Sequence, residues 1–215
     1  MSVTSKRETV FLPDGTPTDA QAGDEMVWHK QSGKLTLRRP GIGELRTDPP
    51  MLPDKNLVSD GATVEEARKA LALGFSLGFT PFDLETASND GYEVVFRIVG
   101  PSPDDHVAEI DTPFRLADGK PTRLRSGDEI YWHPVARVLE IFRKDENGTR
   151  ETLRVRHASG EITTLSSFAE QTADLPVTQE MMIAMIKFAL RLLDTPLGVV
   201  PQPTHDEEVF RFLLE

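Results

Sequence analysis

The chain has 215 residues, 38% of them hydrophobic and 27% charged, with a formal net charge of −11 and no cysteine. This composition suits a folded protein with a sizeable core and excludes disulfides, thiolate nucleophiles and cysteine-ligated metal centres. The acid is spread along the chain: residues 1–103 carry 11 Lys+Arg against 15 Asp+Glu and residues 104–215 carry 13 against 20, so both halves repel a phosphate backbone at long range.

In chain order, a first strand closes at Phe11 and turns at Asp14-Gly15. The segment opened by Gly23-Asp24 then alternates with period two. Met26 and Trp28 fall on one face, expected to be the core face, and Glu25, Val27 and His29 on the other. Leu35 and Leu37 continue the alternation after Ser32-Gly33, which predicts a hairpin with a two-residue turn and His29 opposite Thr36. A helix is predicted over Val64 to Phe79, with Thr63 and Glu66 spaced as a capping box and Thr80-Pro81 as its stop. A strand over Glu93 to Val99 follows, and 100–109, with Pro101 and Pro103, reads as a linker.

The order then recurs. Asp14 to Arg39 laid on Asp118 to Arg143 gives 11 identities in 26 gap-free positions, where unrelated sequences give about one or two. Asp14, Gly15, Pro17, Thr18, Gly23, Asp24, Glu25, Trp28, His29, Leu35 and Arg39 all return 104 positions on, and Phe114 answers Phe11 one residue out of step. Thr178 and Thr195-Pro196 answer Thr63 and Thr80-Pro81 at a shift of 115, and Val209-Phe210-Arg211 answers Val95-Phe96-Arg97 at 114. The expected fold is α+β, a tandem duplication of a unit with an antiparallel or mixed β-sheet and one helix packed on it. Copy one spans 7–99. Copy two spans 110–215, with a helix over Gln179 to Leu193, a closing strand over Val209 to Leu214 and an extra β-hairpin near 151–165.

The candidates for chemistry are weak. Glu25 and His29 sit four residues apart on one strand, roughly 13 Å, too far for a hydrogen-bonded dyad. Gly23-Asp24 and Gly127-Asp128 therefore read as turns into strands, and His29 and His133 as exposed-face residues. In copy two the same register sets His133 opposite Glu140, which pairs imidazole with carboxylate in that copy alone. Asp104-Asp105-His106 and His205-Asp206-Glu207-Glu208 read as solvated acidic loops rather than metal ligands, and His157 has no visible partner. Thr163-Thr164 and Ser166-Ser167 have no base fixed beside them. Arg154 and Arg156, with Arg123 and Arg125, form the best local basic face and read as solvated arginines. No catalytic, cofactor-binding or metal-ligating residue is assigned, and no cofactor, nucleic-acid or membrane partner is expected. The longest apolar stretch, Met181 to Ile186, is broken at Lys187, and Met1 to Arg7 lacks a signal-peptide block, so a cytoplasmic protein is expected.

The two helices differ. Glu65, Glu66, Arg68, Lys69 and Ser76 give the first a polar side, whereas the second is apolar almost all round and must be covered by the other copy or by a second chain. Ile183, Ile186, Lys187, Leu190 and Arg191 are the interface candidates. The expected function is a non-catalytic assembly or protein-protein interaction protein, such as a subunit of an oligomeric ring or a phage particle, with itself as partner. Two alternatives stay open: an acidic protein that neutralises a basic partner, and an enzyme with its site in the cleft between the copies.

Overall fold

The computed structural model describes residues 10–47, 57–80, 82–100, 112–157, 160–193, 195, 197–204 and 208–215. The linker beyond Gly100, Asp104-Asp105-His106, His205-Asp206-Glu207 and the expected starts of both copies lie outside these residues. The fold is α+β, with antiparallel sheets and few helices.

The first half contains β1 (Val10–Phe11), β2 (Pro17–Thr18), β3 (Glu25–His29), β4 (Lys34–Arg39), β5 (Gly43–Thr47), α1 (Val64–Leu77), β6 (Asp83–Asn89) and β7 (Glu93–Val99). Its strands form one sheet in the order β2-β1-β5-β4-β3-β7-β6, antiparallel throughout. The second half contains β8 (Phe114–Arg115), β9 (Pro121–Thr122), β10 (Glu129–His133), β11 (Val138–Lys144), β12 (Arg150–Thr152), β13 (Arg154–Arg156), β14 (Ile162–Thr163), β15 (Leu165–Ser167), α2 (Ala169–Thr172), α3 (Gln179–Leu192), β16 (Val199–Gln202) and β17 (Phe210–Leu214). One sheet runs β12-β11-β10-β17-β16 and another β14-β13-β8-β9. Only Leu153 separates β12 from β13, so the path β9-β8-β13/β12-β11-β10-β17-β16 has the strand order of the first half.

Several details depart from the sequence reading. Both central hairpins turn through four residues, with His29 opposite Lys34 and His133 opposite Val138. Each turn closes on a left-handed residue, Gly33 (φ 68) or Arg137 (φ 55), whose N–H donates to the carbonyl of His29 or His133. Phe114 pairs with Thr122 as Val10 pairs with Thr18, so Val10 rather than Phe11 is its counterpart, in step with the 104-residue shift. In the closing strands Phe96 lies opposite Met26 and Phe212 opposite Ile130, a shift of 116 rather than 114. A slip of two residues leaves every side chain on its face, which is why the shorter match misled without breaking the alternation. Within 151–165 β13 pairs with β14, but β13 lies against β8 as β5 lies against β1, and β14, β15 and α2 are the additional elements.

One continuous core runs through both halves. It joins Met26, Trp28, Leu37 and Phe96 of one sheet to Ile130, Trp132, Ile141 and Phe212 of the other, with α1 and α3 between them. Thr63 caps α1 in a reciprocal box with Glu66, and Thr178 accepts from the Met181 N–H at the start of α3. The helices meet directly, with the Phe75 and Phe188 rings edge to face at 5.6 Å. Phe79 and Phe114 make a second edge-to-face contact between the halves, and Lys69 Nζ donates to the Ala173 carbonyl. Gly74 permits the helix approach, because a Cβ built there would stand 2.3 Å from the Phe188 ring. Gly74→Ala should therefore destabilise the chain despite the roughly 1 kcal/mol gain in helix propensity, and Phe188→Leu should restore part of the loss. Urea denaturation of the single and double variants checks this; additive losses would show that the two residues are not coupled.

A buried ion pair anchors each half. Arg39 grips Asp24 through Nε to Oδ1 (2.7 Å) and Nη2 to Oδ2 (2.9 Å), and also donates to Thr18 Oγ1 and the Asp19 carbonyl. Arg143 repeats the arrangement with Asp128 at 2.7 and 2.6 Å, Thr122 Oγ1 and the Arg123 carbonyl. The Gln21 and Arg125 N–H groups complete the two carboxylates. Neither aspartate is exposed to solvent, and Arg143 is 6% exposed against 13% for Arg39. Removing one partner of such a pair strands the other, so Asp128→Ala should cost about 3–5 kcal/mol and Asp24→Ala less. Equilibrium unfolding of the two variants checks the order.

Candidate interaction face

The helices cover one face of each sheet, and the opposite faces differ between the halves. On the first half, Glu25 meets Arg38 at 2.7 Å and His29 meets Glu93 at 2.8 Å, so charges are balanced locally around the buried Val27 and Val95. On the second half, β10 turns Glu129, Tyr131 and His133 outward beside Glu140 and Phe142 of β11 and Arg211 of β17. Along 150–156, Leu153 and Val155 enter the core, which places Arg150, Arg154 and Arg156 on the outer side. Ile162 pairs with Arg156 and Leu165 with Glu140, so both share this face, 50% and 43% exposed. The face thus combines cations, aromatic rings and exposed aliphatics.

Glu129 is its electrostatic centre. The carboxylate is buried and accepts from Lys144 Nζ at 2.8 Å, Arg211 Nη2 at 3.0 Å and Tyr131 Oη at 3.2 Å. Burial alone would raise its pKa, but the hydrogen bonds and charges of Lys144 and Arg211 outweigh burial and hold it at about 2. Glu129 raises the Arg211 pKa in return. Arg150 approaches Glu129 only to 3.7 Å; its guanidinium lies 3.7 Å over the Phe142 ring and 4.5 Å over Tyr131. The stack fixes the guanidinium plane, and among the described residues its N–H groups donate no hydrogen bond. Lys144 is 54% exposed and Arg150 40%. The same face also carries the His133–Glu140 pair, 3.0 Å apart.

The other sequence candidates are placed as follows. His133 does reach Glu140 (3.0 Å), diagonally, since Tyr131 is the residue opposite, and His29 has a carboxylate of its own in Glu93. The expectation that only the second histidine faces a carboxylate is therefore overturned, because β7 supplies one that hairpin register alone could not show. His157 Nε2 lies 2.9 Å from Thr163 Oγ1, but that hydroxyl donates to the Leu165 carbonyl, so it receives from the imidazole and is not activated by it. A cleft of about 200 Å³ between the halves is lined by residues including Asp60, Glu66, Leu175 and Met181, and Glu66 is occupied by its cap. Among the described residues no histidine-carboxylate group has the makings of a metal site, and no helix is long and apolar enough to cross a membrane. Ile186 and Leu190 are buried within the chain, while Ile183, Lys187 and Arg191 are half-buried. No protein-family model matches the chain, no curated protein matches it and no solved structure matches it.

Because the Glu129 pKa is depressed on folding from its ordinary 4.5, the stability it contributes is present above that value and lost as pH falls towards about 2. Glu129→Gln should then be less stable than the parent at neutral pH, on the order of 2 kcal/mol, with the gap closing between pH 4.5 and 2. Thermal unfolding across that range checks it; a constant gap would mean packing, not charge, sets the loss.

Proposed function

We propose that the chain is a non-catalytic protein-interaction protein, built by tandem duplication of one α+β unit whose second copy has acquired a binding face. The duplication is supported by the 11 identities in 26 positions, the common strand order and the two equivalent Asp-Arg-Thr networks. The binding reading rests on one observation: the outer face of the second half holds exposed Ile162 and Leu165 beside arginines and half-buried Tyr131 and Phe142. Arginine and tyrosine are the residue types that most often dominate binding energy, and exposed aliphatics among them mark protein contacts.

The repeated residues favour this over an enzyme, since Thr18, Asp24, Trp28, Arg39 and their partners all serve the framework. Assembly into a ring or particle remains consistent with such a face, but α3 no longer argues for it: its flank lies on α1, and Ile186 and Leu190 are covered inside the chain. Leu190→Asp should unfold the chain rather than dissociate an oligomer, and the half-buried Ile183→Asp should cost less. Light scattering with circular dichroism separates the cases: a folded Leu190→Asp protein of reduced mass would restore α3 as a subunit interface. The binding reading is tested by capture from the native cell extract with the parent and with Arg150→Glu. A protein retained by the parent and lost with the folded variant supports it; identical captured sets count against it.

A further inference from the structure

We infer that the outer face of the second half binds an extended acidic segment of a protein partner, one that carries carboxylate and aliphatic side chains on the same side of the strand. This rests on the interaction reading above and adds the chemistry of the partner. Four features lead to it.

The first is charge. Arg150, Arg154 and Arg156 stand on the same side of 150–156, with Lys144 directly opposite Arg150, in a chain of net charge −11. A cationic face on an acidic protein attracts an anionic segment while the rest of the surface repels indiscriminate anions. The second is spacing. Residues two apart on a strand are separated by roughly 7 Å, and carboxylates two apart on an extended peptide repeat at the same distance, so Arg154 and Arg156 can each meet one. Guanidinium groups suit this because they grip carboxylates through two parallel hydrogen bonds.

The third feature decides against single-stranded nucleic acid, the other polyanion a basic face with aromatics would suit. Base stacking needs an open ring face, and the Arg150 guanidinium already lies 3.7 Å over Phe142 and 4.5 Å over Tyr131. The rings therefore serve to orient Arg150. The fourth is the apolar component. Ile162 is paired with Arg156 and Leu165 with Glu140, both exposed; phosphodiester backbones offer nothing to cover them, whereas aliphatic side chains on the same side of a peptide as its carboxylates do.

The test uses the full chain and three probes: a short peptide with glutamates and then valines at every second position and serines between them, its lysine-valine counterpart, and oligothymidylate of matched charge. Calorimetric titration should give micromolar binding of the glutamate peptide that weakens with added salt, and little binding of the other two. The double variant Arg154→Glu, Arg156→Glu should weaken it roughly tenfold or more, and the uncharged Ile162→Ser should weaken it with less change in salt dependence. All three positions are exposed, and circular dichroism verifies that the variants fold. Failure of the glutamate peptide to bind, equal binding of the lysine peptide, tighter binding of oligothymidylate, or indifference to the double variant would each overturn the inference. The interaction reading is judged separately, by the Arg150-dependent capture, so a peptide that fails while capture succeeds removes the partner chemistry alone.

Discussion

The buried arginine-carboxylate pair is the constraint around which each half is organised. Asp24 has both carboxylate oxygens committed to Arg39, the Gln21 N–H adds to one of them, and its carbonyl accepts from the Ile98 N–H. One residue thereby ties the loop after β2, the start of β3, the end of β4 and the closing strand β7. Gly23, at φ 91, sets up the approach and donates its N–H to the Ile98 carbonyl. Gly127, Asp128, Arg143 and Leu214 make the same connections. A buried charge pair is not efficient as a source of stability, since apolar residues of like volume often do better. What it supplies is geometry: the fork of the guanidinium admits one orientation of β4 against β3, which fixes the register that carries Trp28 and Trp132 into the core.

That pair is visible in the sequence only as two separate repeated residues. Asp24 and Arg39 stand 15 apart, return 15 apart as Asp128 and Arg143, and are both among the repeated residues. Gly-Asp is so strong a turn signal that it accounts for the carboxylate locally, and nothing in the spacing points to its long-range partner. The core faces, both helices and their caps were legible because their periodicity comes from local geometry. The strands β5, β6 and β16 were not. Of β6, Asp83 to Asn89, only Leu84 is buried, so an edge strand of this kind carries almost no hydrophobic pattern. The candidate face was legible only in part. Arg154 and Arg156 were visible as alternating cations, but Tyr131, Phe142, Arg150 and Arg211 come together through three strand pairings that sequence spacing cannot encode.

The halves diverge where they do not have to hold themselves together. At the helix contact, Gly74 of α1 leaves the space that Phe188 of α3 fills. Such a lock needs two different surfaces, so the apolar flank of α3 is the complement of α1 rather than a surface left for another chain. The Phe188 ring also stands edge to face with Phe75, so α1 meets it with a glycine and a ring together. The apolar flank of α3 is thus accounted for by packing within one chain.

The same reasoning applied to the outer faces gives a different answer. Glu25 and Glu129 occupy equivalent positions, and each is neutralised from neighbouring strands: Glu25 by Arg38, Glu129 by Lys144 and Arg211. On the first half His29 pairs with Glu93 and Lys34 with Glu44, and Arg97 stands opposite Glu25 on β7. On the second half Phe142 stands where Arg38 does in the first, and the ring orients Arg150, which adds a cation beyond what Glu129 requires. No internal packing problem is solved by that surplus, since Arg150 contributes neither to the core nor to the Asp128 network. Holding the side chain in one plane costs entropy, which the two ring contacts and the approach to Glu129 offset, and 40% of it stays open to solvent. The acidic peptide inferred above would meet the guanidinium N–H groups on that open side and cover Ile162 and Leu165 with the same surface.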